Sequence, residues 1–82
     1  MAYDVLAAAR ALRDELDAAG HQSWSREIDD AIAGGSTGTE ILMRLRSVLT
    51  RLAPAVHEVS PETAARARAI ETEITGILGG NR

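Results

Sequence analysis

The sequence predicts an all-α fold, a compact four-helix bundle or two packed antiparallel helical hairpins, and three observations carry that expectation. Apolar residues recur at three- and four-residue spacing in four segments. Glycine and proline clusters separate those segments. The composition is 45% hydrophobic, rich in Ala, Leu and Ile and without Phe, which favours helices packed through an aliphatic core. At 82 residues the chain makes a single helical domain, residues 1–82, near the size at which one apolar core can just overcome the entropy of ordering the chain.

The first helix is expected over about 4–19. Asp4 is a good N-cap, Val5, Ala9, Leu12, Leu16 and Ala19 form the apolar stripe, and Gly20 is the stop. The second is expected over about 22–33, with Trp24, Ile28, Ala31 and Ile32 on one face. Trp24 reads as the core anchor of the hairpin these two helices make. The run Gly34-Gly35-Ser36-Thr37-Gly38-Thr39-Glu40 then ends one helix and starts the next: both glycines are stop signals, and Thr37 with Glu40 three residues on reads as a capping box, each side chain bonding the other residue's backbone N–H.

The third helix, about 38–52, carries the strongest amphipathic pattern, Ile41, Leu42, Leu45, Val48, Leu49 and Leu52. Pro54 is expected to lie beyond it, in a connector of about 53–59 from which Val56 and Val59 plug the core. Ser60-Pro61-Glu62 supplies an N-cap, a first-turn proline and a first-turn acid for the fourth helix, about 61–78, which buries Ala67, Ile70, Ile74, Ile77 and Leu78. Gly79 to Arg82 should fray.

Charge is uneven. The net value is −3, and all nine basic residues are arginine. Residues 1–35 hold three arginines against seven acids, −4, whereas residues 36–82 hold six against five, +1. An acidic amino-terminal half argues against nucleic acid or an anionic membrane as partner and suits a basic protein. The start Met1-Ala2-Tyr3-Asp4 has neither the basic region nor the apolar stretch of a secretion signal, and no segment has the roughly 20 apolar residues of a membrane span, so a cytoplasmic protein is expected.

Candidate chemistry is sparse. There is no cysteine, so thiolate nucleophiles and Cys metal sites are excluded. His21 and His57 fall in connectors without further ligands at metal spacing, and no metal is expected. The glycine-rich junction lacks the Lys of a phosphate-binding loop, and Glu40 would repel an anion. No nucleophile–base pair, cofactor motif or small-molecule site is found, so neither an enzyme nor a cofactor is expected. Arg44 and Arg51, seven apart, share a face of the third helix and are expected to pair with acids of the first two helices.

Candidate partner-binding residues are therefore the acids Asp14, Asp17, Glu27, Asp29 and Asp30, with Met43, which projects about 200° from Ile41 onto the polar side of its helix at about 100° per residue. Leu6 likewise sits off its stripe. Gly20-His21-Gln22-Ser23-Trp24, with Ala31 through Arg46, resembles a loose group of short bacterial helical proteins, similar in kind to immunity proteins and antitoxins. The resemblance implies a non-catalytic module that blocks a basic toxin by docking an acidic helical face. The alternative is a small homo-oligomer, a dimer that completes its core against a second copy.

Overall fold

Each expected helix forms, and most boundaries have a local cause. A computed structural model describes residues 4–79, in which α1 runs Val5–Ala18, α2 Gln22–Gly34, α3 Gly38–Val56 and α4 Pro61–Gly79. Of the expected frayed tail, Gly79 is the last residue of α4, and residues 80–82 lie outside the described residues.

Asp4 caps α1 by accepting from the Ala7 N–H at 3.0 Å. At the other end Gly20 takes a φ of +90°, and the Gly20 and His21 N–H groups reach back to the carbonyls of Asp17 (3.2 Å) and Leu16 (2.8 Å). That is a full Schellman closure, which uses glycine's freedom at positive φ.

Gly35 serves a different purpose. Its φ is −85°, open to any residue, so the left-handed conformation is not what the α2–α3 junction requires. A Cβ built there would lie 2.5 Å from Ile41 Cγ1 and 2.9 Å from the Ile41 N. Glycine is needed because the chain crosses directly against the first turn of α3.

Helix α3 continues four residues beyond the expected end at 52, straight through Pro54 to Val56. Pro54 removes the N–H that would bond the Thr50 carbonyl, but it lies on the exposed side of the helix, where water can serve that carbonyl. Burial of Ala53 and Val56 on the opposite side holds the extra turn in place. Val59, expected in the core, is 71% exposed, and Ile77 is 57% exposed, so both are corrections to the periodic reading.

The helix pairs that pack are α1–α2, α2–α3, α3–α4 and α1–α4, the closed ring of an up-and-down four-helix bundle. Leu12, Leu16, Ile28, Leu45, Leu49, Leu52, Val56 and Ile74 are its largest fully buried side chains. Ala9, Ala64 and Ala67 are fully buried too. A radius of gyration of 11.9 Å matches the roughly 11.7 Å of a compact domain this long.

One polar clasp crosses the α1–α4 seam. Glu15 accepts from Thr63 Oγ1 at 2.6 Å, from Arg66 Nε at 2.8 Å and from Arg66 NH2. Thr63 is buried, and because its proton goes to Glu15, the Ser60 hydroxyl must be the donor in the 2.6 Å Ser60–Thr63 contact. Ser60 thus meets a side chain and not the backbone N–H expected of an N-cap; its carbonyl accepts the first helical bond, from Ala64 at 3.1 Å.

Candidate functional site: the acidic α1–α2 side

The α1–α2 hairpin carries most of the excess negative charge. Its antiparallel register brings Arg13 opposite Asp29, so the Arg13 guanidinium donates to Asp29 Oδ1 at 2.7 Å and to Asp14 Oδ1 at 3.1 Å. These contacts, Asp29 first, push the Arg13 pKa further above its ordinary value. Around this clamp lies an open polar cleft of about 360 Å³, lined by Arg13, Asp14, Asp17, Gln22, Ser25, Arg26 and Asp29.

Three of the candidate acids, Asp14, Asp17 and Asp29, are therefore brought to one cleft. Glu27 and Asp30 are not. They line a second groove, between α2 and α3, with Arg44, Ser47 and Arg51. There Arg51 donates to Glu27 at 3.0 Å and stacks over Trp24, its guanidinium carbon 5.7 Å from the ring centroid. Trp24 is half-buried against the core on this α2–α3 side, not inside the α1–α2 hairpin alone. Among the described residues Asp17 and Asp30 form no ion pair.

Met43 is 52% exposed and lines neither groove, so the structure does not join it to the acids. Leu6 is half-buried and packs on the core. It borders an apolar cleft of about 480 Å³ at the end of the bundle where α1 and α3 begin and α4 ends, with Val5, Ile41, Leu42 and Ile77.

The α2–α3 junction supplies its own anion. Thr37 Oγ1 accepts from the Glu40 N–H at 3.1 Å, as a capping box requires. The return bond differs from expectation: Glu40 Oε1 accepts from the Ser36 N–H at 3.0 Å, one residue before the cap. That bond first, and the Arg44 guanidinium 3.3 Å from Oε2 second, hold the Glu40 carboxyl below the usual carboxylate range. A carboxylate already sits where a phosphate would bind. Arg44 thus pairs within its own helix and not across to α1 or α2, whereas Arg51 makes the expected interhelical pair with Glu27.

His21 is half-buried at the start of α2 and makes no capping bond through its side chain; His57 is exposed at the end of α3. Among the described residues no group of three His, Cys, Asp or Glu side chains is placed to hold a metal ion. Among the described residues no helix is long and apolar enough to cross a membrane.

Four residues of the cleft, Arg13, Gln22, Ser25 and Arg26, are not singled out by the sequence. Arg13 is one of nine arginines, and only the register of the hairpin marks it as the one held between two acids. Ser25 falls on the buried side of α2, three residues before Ile28, a spacing that could have flagged it. Comparison with protein-family models, curated proteins and solved structures gave no match.

Proposed function

We propose that the chain is a non-catalytic protein-binding module of the immunity or antitoxin type, whose acidic α1–α2 side docks a basic surface on a partner protein. The observation that carries this reading is the cleft around Arg13, where three carboxylates face two guanidiniums and leave one negative charge in excess on a concave polar surface. On the other side of α2, Asp30 lies in a groove where two acids face two arginines. The field of the cleft steers a basic partner and raises its association rate.

The test is capture of the partner from the native host by the wild-type chain and by a variant carrying Glu27→Lys, Asp29→Lys and Asp30→Lys. Retention of a basic protein by the wild type and its loss from a folded variant support the reading. Equal retention eliminates this side as the docking face.

A second reading is favoured by the apolar end cleft and by the exposure of Ile77 on its rim: self-association through that end. Light scattering across a concentration series separates the two. A monomer at high micromolar concentration counts against self-association, and a dimer dispersed by Ile77→Asp supports it.

A further inference from the structure

The acidic side has one place built to take a single side chain. Asp14 and Asp29 each commit one oxygen, Oδ1, to Arg13, so each keeps Oδ2 for another donor, and Asp17 has no cation on either oxygen. Ser25, on the floor of the same cleft, is only 7% exposed. Among the described residues its hydroxyl makes no hydrogen bond, yet no side-chain oxygen or nitrogen sealed from solvent lacks a partner. The Ser25 hydroxyl is therefore in contact with solvent, in a residue that lines the cleft.

Charge, hydrogen-bonding capacity and size agree on what fits. One further positive charge neutralises the cleft. The free acceptors are both Asp17 oxygens, one oxygen each of Asp14 and Asp29, and the Ser25 hydroxyl; Gln22 and the Arg26 guanidinium also line the cleft and make no hydrogen bond among the described residues. At about 360 Å³ the cleft lies at the small end of the roughly 300–1,000 Å³ of small-ligand sites, room for one long side chain and not for a helix. A guanidinium is planar, weakly hydrated and forked to meet two oxygens at once, which suits oxygens contributed by two helices better than a compact ammonium does.

We propose that the α1–α2 cleft receives one arginine side chain of the basic protein partner, its guanidinium held by Asp17 and the unused oxygen of Asp29, with the Ser25 hydroxyl as a further acceptor. The proposal rests on the docking reading above and makes it specific.

The probe is an N-acetylated, C-amidated Gly-Arg-Gly peptide, titrated into the full chain while backbone amide shifts are followed by NMR, with the citrulline peptide as uncharged control. The expected result is a saturable response centred on Asp17, Gln22 and Ser25 that citrulline does not give. Asp17→Asn should weaken it by about tenfold, the scale of one charge-assisted hydrogen bond, and Ser25→Ala should weaken it by a smaller factor. Asp30→Asn makes the same change in net charge outside the cleft and should leave it unaltered. Shifts that never saturate, equal binding of citrulline, or equal weakening by Asp30→Asn overturn the proposal. A host partner that ignores Asp17→Asn but is lost with the triple lysine variant overturns the arginine cleft alone. A partner indifferent to both overturns the docking face itself.

Discussion

Thr37 and Glu40 cap α3 asymmetrically: the threonine hydroxyl accepts from the Glu40 N–H, while the Glu40 carboxylate passes over Thr37 and accepts from Ser36. Two backbone donors at the start of the longest amphipathic stripe are thereby satisfied without a ligand. Thr37→Ala should lower stability by about 0.5–2 kcal/mol in urea melts, and excess phosphate should not raise the midpoint of either protein. An unshifted midpoint together with a phosphate response would mean that the junction holds an anion.

The two helix-closing glycines should respond differently to substitution. Gly20 has open space around it but a φ of +90°, so Gly20→Ala is strained while Gly20→Asn, which tolerates the left-handed region, is milder. Gly35→Ala should cost about 1–3 kcal/mol through overpacking against Ile41, and Gly35→Asn should be no milder. Equal rescue by asparagine at both positions would refute the steric account of Gly35.

Acid should loosen the α1–α4 seam. Arg66 above all, with Thr63, lowers the Glu15 pKa, and burial opposes the shift only in part. A carboxyl with a depressed folded pKa stabilises the fold above its unfolded value, near 4.5, and loses that contribution as pH falls through the folded value. Urea midpoints should therefore fall as pH drops from 6 to below 4. Glu15→Gln should be less stable at neutral pH and flatter across that range. Parallel pH profiles for the two proteins would show that the clasp contributes nothing.

Pro54→Ala should stabilise the protein. A proline inside a helix costs about 3 kcal/mol relative to alanine, the freer unfolded chain of alanine already included, so the gain should be up to about 3 kcal/mol. The Thr50 carbonyl would recover its helical donor. A lowered urea midpoint would show that Pro54 serves the bundle in a way its exposed position does not reveal.

Most of the fold was legible because its signals are local. Asp4, Gly20, Thr37 and Pro61 mark boundaries by what each does to its own turn, and the helices begin or end beside them. The misreadings involve a different scale. Pro54 is tolerated because it lies on the exposed side while Ala53 and Val56 are buried, and Ile77 is exposed although Ile74 before it is buried and Leu78 after it packs on the core; neither follows from periodicity alone. The candidate site was legible as a surplus of acids, but the partition of those acids was not. Whether Asp29 meets Arg13 or Asp30 depends on the register between two helices, a relationship that exists only once they pack.

The docking reading is tested most directly by the association rate of the captured partner across a salt series, with wild type and the Glu27→Lys, Asp29→Lys, Asp30→Lys variant compared after thermal melts show both folded. An electrostatically steered encounter predicts that the wild-type rate falls steeply as ionic strength rises, while the charge-reversed variant, which repels a basic partner, starts slow and speeds up as salt screens the repulsion. Identical rates for the two proteins at low salt would contradict docking through the acidic α1–α2 side.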